Sequence, residues 1–346
     1  MDFPKILAKC GADTLVFFTD GSRVDENFYY FTGLSKTAQV TGTVIVTKSG
    51  PVVITNRLES ETFKCRKIVI QKRAEAELAM RKYNGKNVGI DFTSVAYSRL
   101  LRFKKTLKGR KIVDVSKKME SIRSVKTPRE IKNIKEACSI SEELLENISG
   151  LVSKSRTEKE LAAKVEYAAK RASEGVSFPP IVAAGKNSAA PHHIPGAARL
   201  KGILLVDFGV VYNGYSSDIT RVFYAGRPDN TSRNIYKTVY MAQKASIKEI
   251  MHGAKVCDVH NAANKILESE LKHKLIHSIG HGLGIAVHEF PAFGENSKNV
   301  LAKDMVVTVE PGYYKKGWGG IRIEDDILVG KKAVLLSTAP SSLTEI

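Results

Sequence analysis

Apolar positions along this chain fall into short runs with two different periods. Across residues 13–115 the runs TLVFF, FYYF, TGTVIVTKSGPVVIT, RKIVI, NVGIDF and KIVDV are rich in β-branched and aromatic residues and read as strands. Ser49-Gly50-Pro51 reads as a hairpin turn, and helical stretches near Glu59, near Glu75 and over 95–105 separate the later strands. This alternation predicts a modest α/β domain over residues 1–122. It holds no cluster of His, Asp and Glu that could build a site.

At Thr127-Pro128-Arg129-Glu130 the pattern changes. The threonine oxygen and the glutamate can satisfy free backbone amides of a helix start, and proline suits the first turn, so a helix to about Ile148 is expected. Thr157-Glu158-Lys159-Glu160 is a second start signal, and helical periodicity returns over about 233–252 and 258–272. Residues 123–346 therefore read as a second domain, helix-rich around a strand-built centre, and the chain as α+β overall.

That centre contains a weak internal repeat. ILLVDFGVVYNGYSSDITRVFYA reads as an apolar strand that meets Asp207, turns through Asn213-Gly214 and returns through Asp218 into a second strand. MVVTVEPGYYKKGWGGIRIEDDILV does the same with Glu310 after VVTV, a turn at Gly317, Gly319 and Gly320, and a return through Glu324. A carboxylate in an apolar strand is costly to bury unless it is paired, hydrogen-bonded or bound to metal. Four such acids on two hairpins imply a shared positive partner. Between the hairpins lies HSIGHGLGIAVHE, in which glycines flank His281 and His288 follows. One imidazole with four carboxylates suits two divalent ions, manganese, cobalt or zinc, better than a thiolate-type zinc site. In such a site two ions about 3.5–4 Å apart lower the pKa of a shared water and polarise the substrate carbonyl.

Composition narrows the classes that remain. Cys10, Cys65, Cys138 and Cys257 form no CxxC pair, which argues against a zinc knuckle or a disulfide framework and for reduced, mostly packed thiols. The first thirty residues carry no export-signal pattern, and runs such as GILLV and VVTV are far shorter than the roughly 20 residues of a membrane span, so a cytoplasmic protein without a span is expected. The net charge of +18 would attract polyanions or small anionic substrates. Its lysines and arginines are spread along the chain without an aromatic stacking pattern, and nucleic acid is not the expected partner.

VDFGVVYNGYSSDITRVF, IGHGLGIAVHE, TVEPGYY and IRIEDD closely resemble the Xaa-Pro dipeptidase and Xaa-Pro aminopeptidase branch of the fold shared with methionine aminopeptidase and creatinase. ENFYYFTGL resembles the amino-terminal domain of that family, and IRSVKTPREIKNIKEACSIS the helix leading into its second domain. The resemblance implies a creatinase/prolidase-type first domain, a pita-bread second domain with a pseudo-two-fold repeat, and a homodimer. It implies that Asp207 holds one metal alone, Asp218 and Glu324 bridge both, and His281 with Glu310 completes the other, Glu310 also taking a proton from the attacking water. His192 in PHH and His288 in VHE match the substrate histidines, one to contact substrate or shuttle a proton and the other to hydrogen-bond the peptide carbonyl, whereas His193, His252, His260, His273 and His277 are expected to pack.

The bond before proline is a tertiary amide whose nitrogen carries no hydrogen, so its hydrolysis needs recognition of ring shape and a proton for the leaving nitrogen. Phe178 in SFPPIVAAG is the candidate wall for the ring, in an expected strand, and Arg322 either binds a substrate carboxylate or holds the metal carboxylates, with the second favoured. In many dipeptidases of this family an arginine follows the HExP segment, whereas here HEFP is followed by Ala292. An Xaa-Pro dipeptidase is expected, with an aminopeptidase for longer peptides as the alternative and Lys315 and Lys316 as substitutes for the missing arginine. A metal-free creatinase-type hydrolase and a non-catalytic nucleic-acid binder are the further alternatives, and the complete set of five ligands speaks against both.

Overall fold

Capping residues decide where the first elements begin and end. In this computed structural model, which describes residues 1–21, 25–83, 85–338, 340 and 342–346, α1 (Phe3–Cys10) and β1 (Thr14–Asp20) are followed by α2 (Glu26–Thr32). The FYYF run, expected as a strand, lies in α2. Asp25 accepts from the Asn27 and Phe28 amides at one end, and Gly33 closes the other at φ +71°. With both ends capped and Phe28, Tyr29, Tyr30 and Phe31 all buried, helix outweighs the β preference of aromatic residues.

The expected hairpin forms from β2 (Thr41–Thr47) and β3 (Gly50–Asn56); then come β4 (Arg66–Ile70), α3 (Arg73–Tyr83), β5 (Asn87–Ile90), α4 (Tyr97–Thr106), β6 (Lys111–Asp114) and α5 (Ser116–Ser124). The stretch near Glu59 makes only a short 3-10 turn, Ser60–Thr62. The six strands form one mixed sheet in the order β4-β3-β2-β1-β5-β6. Contacts divide the chain into Met1–Arg123 and Ser124–Ile346.

The second unit opens with α6 (Pro128–Glu146), whose Thr127 and Glu130 form the full reciprocal cap. Next come α7 (Ile148–Val152), α8 (Glu158–Ala172), β7 (Ile181–Ala184), β8 (Gly202–Phe208), β9 (Val211–Tyr212), β10 (Tyr215–Ser216), β11 (Ile219–Ala225), α9 (Asn230–Glu249) and α10 (Val256–Leu271). The chain ends through β12 (His281–Gly282), β13 (Glu289–Ala292), β14 (Val306–Val309), β15 (Gly312–Lys315), β16 (Gly319–Arg322), β17 (Asp325–Val329), β18 (Ala333–Leu335) and β19 (Thr344–Glu345). One sheet runs β19-β11-β8-β7 and another β13-β12-β14-β17-β18. Each centres on an antiparallel pair, β8 with β11 and β14 with β17, that carries two of the acids at its end.

The repeat is physical as well as sequential. Along β8, Ile203 and Leu205 join the core built on α9 and α10, while Leu204, Val206 and Phe208 join the core built on α6 and α8. Both faces are buried, so the strand reads as an unbroken apolar run. Asn213 and Gly214 both take positive φ, 47° and 80°, which is what a two-residue hairpin turn demands. Phe178 lies in an irregular segment before β7 rather than in the expected strand, because Pro179 and Pro180 cannot donate to a ladder.

Candidate metal centre

Strand period two aims the acids. Asp207 shares the parity of Ile203 and Leu205 and faces Thr220 directly across the β8–β11 ladder. Asp218 precedes β11, Glu310 follows β14, and Glu324 precedes β17, so each acid sits where a strand meets a turn. The two sheets are laced together at this point. The Asp218 amide donates to Asp326 Oδ2 at 3.0 Å, the Glu324 amide to the Thr220 carbonyl at 3.2 Å, and Thr220 Oγ1 to Glu324 Oε2 at 2.7 Å.

His281 enters from β12. Its backbone amide donates to Thr308 Oγ1 at 3.1 Å, and its Nδ1 lies 3.1 Å from the Gly282 carbonyl, which assigns the proton to Nδ1 and leaves the Nε2 lone pair free. Nε2 lies 3.5 Å from Asp218 Oδ2 and 3.7 Å from Glu310 Oε1. Burial, then the neighbouring His288, push the imidazole pKa down to about 3, so the ring is a neutral ligand at ordinary pH.

The five residues, joined by His288, form overlapping donor sets, Asp207 with Asp218 and Glu324, His281 with Glu310 and Glu324, and Asp218 with His281 and His288, each with atoms within 4.8 Å of one another. Two ligands bonded to one ion at roughly 2.0–2.2 Å stand roughly 3 to 3.6 Å apart, close to the His281 separations. Burial raises Asp207, and burial with mutual repulsion raises Asp218 and Glu324 well above the ordinary carboxylate range; burial takes Glu310 to about 8. Asp207 Oδ1 is buried without a hydrogen-bond partner among the described residues. Crowded carboxylates, a neutral imidazole and an orphaned oxygen fit divalent cations.

Arg322 accounts for part of the charge. Its Nη2 pairs with Asp207 Oδ2, while Nε donates to Thr220 Oγ1 at 3.0 Å and Nη1 to Tyr314 Oη at 3.0 Å and the Pro191 carbonyl at 3.3 Å. The acids open into a cleft of about 610 Å³ lined also by Phe178, His192, His277, His288 and Ala292. Lys315 and Lys316 are exposed and do not line it.

His277, expected to pack, lies at this cleft 3.1 Å from Tyr314 Oη, and burial holds its pKa down to about 4. Thr220 and Tyr314 were not singled out by the sequence. Period two from Asp218 could have found Thr220, a polar residue on the acid-bearing face of an apolar strand; nothing local marks Tyr314. The four cysteines are free, with Cys10 and Cys138 buried, and among the described residues no helix is long and apolar enough to cross a membrane.

Residues 132–331 match metallopeptidase family M24, and residues 3–125 match the creatinase/prolidase N-terminal domain. The chain is 32% identical to an Xaa-Pro dipeptidase of Pyrococcus furiosus over 330 residues, 92% of this chain and 94% of that protein. Among solved structures it resembles an X-Pro aminopeptidase from Thermotoga maritima with a TM-score of 0.89 at 27% identity, covering 99% of this chain and 100% of that one. It also resembles a prolidase from Pyrococcus furiosus with a TM-score of 0.83 at 30% identity, covering 97% and 99%.

Proposed function

The chain belongs to metallopeptidase family M24 and is a metal-dependent peptidase with a creatinase-type first domain and a pita-bread second domain, and we propose that it is a two-metal Xaa-Pro dipeptidase. The observation that carries this reading is the set of overlapping carboxylate and imidazole donors inside one cleft, with an orphaned Asp207 oxygen among them. Asp207 would hold one ion and His281 with Glu310 the second, with Asp218 and Glu324 shared between them; manganese or cobalt suits this oxygen-rich set best, with zinc also acceptable. Bound divalent ions supply carbonyl polarisation and a more acidic water.

The chain's own groups do the rest. Glu310 takes the proton of the attacking water. His192, exposed at the cleft, contacts the substrate or shuttles a proton towards the proline nitrogen, and His288, also exposed there, hydrogen-bonds the peptide carbonyl. Phe178, half-buried at the cleft, packs on the proline ring. Arg322 is engaged by Asp207, Thr220, Tyr314 and the Pro191 carbonyl, which supports a role in holding the carboxylates rather than in gripping substrate.

A second reading, an aminopeptidase for longer peptides, is favoured by Ala292, a small apolar residue on the cleft wall. The two are separated by offering metal-stripped protein an Xaa-Pro dipeptide and an Xaa-Pro-Xaa tripeptide with manganese, cobalt or zinc restored in turn. Metal-dependent cleavage of the dipeptide alone supports the dipeptidase, cleavage of the tripeptide the aminopeptidase, and cleavage of neither removes both. A homodimer belongs to the same proposal on the family resemblance alone, and a cytoplasmic location on the sequence pattern of the first thirty residues; light scattering in solution tests the dimer.

A further inference from the structure

Each of the two exposed cleft histidines is followed in the chain by a residue whose side chain is tied to a partner distant in sequence. After His192 comes His193, whose Nε2 lies 2.8 Å from Glu158 Oε2, with side-chain exposures of 20% and 0%. After His288 comes Glu289, whose Oε2 lies 3.1 Å from Lys126 Nζ, with exposures of 3% and 1%. Both partners stand at the start of a helix. Glu158 is the first residue of α8, and Lys126 precedes Thr127, the N-cap of α6.

Glu158 lies outside the cleft lining, yet its carboxylate is tied four times. It accepts from the Ala184 amide at 2.7 Å, Asn187 Nδ2 at 2.9 Å, His193 Nε2 at 2.8 Å and the Gly196 amide at 3.0 Å. Although burial opposes its charge, these hydrogen bonds hold its pKa below the ordinary value, and the helix N-terminus favours the anion. The four donors come from the end of β7 and from both sides of His192, so one carboxylate closes the loop that carries that histidine. Backbone bonds strengthen the closure, from the Glu158 amide to the Ala198 carbonyl at 3.0 Å and from the Lys159 amide to the Gly196 carbonyl at 3.0 Å. His192 itself is exposed, so its aim depends on the backbone beneath it.

On the other side, Glu289 Oε1 accepts from the Ala286 amide at 3.2 Å, bridging the segment that contains His288. The Lys126 amide donates to the Asp304 carbonyl at 2.9 Å, which fixes the lysine against the same half of the unit.

We propose that Glu158 is a positioning residue for His192, acting through His193 and the 185–196 loop, and that Lys126 and Glu289 do the same for His288. Its kinetic arm rests on the Xaa-Pro reading; its spectroscopic arm does not. In metal-loaded full-length protein, Glu158→Gln is expected to lower kcat/KM for an Xaa-Pro peptide by about 10- to 100-fold, with metal stoichiometry unchanged. In a His192→Ala background the same change is expected to cost less than about twofold, because its route to the reaction is already gone. Equal loss in both backgrounds, or loss of bound metal, overturns the proposal and makes Glu158 a general structural residue.

Histidine-labelled NMR gives the second arm. Glu158→Gln should shift or broaden the His192 and His193 ring signals and spare His288, whereas Glu289→Gln should move His288 and spare His192. Unmoved His192 signals overturn the proposal even in a protein that cleaves no proline peptide, an outcome that would separately remove the Xaa-Pro reading. Should Glu158→Gln fail to fold, His193→Gln breaks the same pair from its more exposed side and is read in the same way.

Discussion

Arg322 of β16 and Asp207 of β8 form an ion pair across the two halves of the second unit, with side-chain exposures of 4% and 8%. It neutralises one oxygen of Asp207 and leaves the other, Oδ1, buried without a hydrogen-bond partner among the described residues. The same guanidinium reaches Thr220, Tyr314 and the Pro191 carbonyl, a fan of donors that an ammonium group cannot reproduce. Arg322→Lys is therefore expected to weaken metal binding by about 10- to 100-fold, measured by titrating manganese into metal-stripped protein. Unchanged affinity would show that Asp207 is held by other means.

Asp218 and Glu324 each stand in a donor set with Asp207 and with His281. Removing either, as in Asp218→Ala or Glu324→Ala, is expected to reduce turnover to background, a loss of about 10³-fold or more if the metal-assisted route is abolished. His252 is exposed and accepts from the Lys303 amide away from the cleft, so His252→Ala should leave kcat/KM within about twofold. Near-normal turnover in either acid variant would misplace the metal centre.

Metal-stripped protein should become less stable as pH rises. Burial lifts Glu310 to about 8, and Asp207, Asp218 and Glu324 are raised in the same direction. A carboxyl raised in the folded state binds more protons there than in the unfolded chain, so its contribution is full below the ordinary carboxylate range and is lost as pH climbs through about 8. Thermal midpoints of stripped protein are expected to fall between about pH 5 and 8.5, and saturating divalent metal should remove that fall. A midpoint rising with pH in the stripped protein would contradict the assignment.

Beneath the site, Arg221 Nη2 meets Asp325 Oδ1 at 2.7 Å, with both side chains buried, and Gln243 and Ser337 hydrogen-bond the same carboxylate. Arg221 Nη1 also donates to the Glu324 carbonyl. Breaking this buried pair with Arg221→Met leaves an uncompensated charge and should cost about 3–5 kcal/mol of unfolding free energy by denaturant titration. A loss below about 1 kcal/mol would mean that water reaches Asp325.

Phe178→Ala should raise KM for a proline peptide about tenfold, corresponding to loss of part of an aromatic contact, with a smaller change in kcat. A fall in kcat at unchanged KM would remove Phe178 from the ring-binding wall.

Sequence alone determined whatever depends on neighbours along the chain. Thr127 and Thr157 cap helices through amides three residues away, Asn213-Gly214 makes its turn by backbone preference, and the apolar runs of β8 and β14 meet their acids at strand ends. Those signals are local because hydrogen-bond closure and period two are local. FYYF misled because its composition favours a strand, whereas the helix is decided by Asp25 and Gly33 at its ends. Only the tertiary structure decided the groups that meet from distant positions. Glu158 reaches His193 over 35 positions, Lys126 reaches Glu289 over 163, and Arg322 reaches Asp207 over 115. Such pairs exist only where separately formed sheets and helices pack against one another, and no residue in either partner's own segment encodes the distance between them.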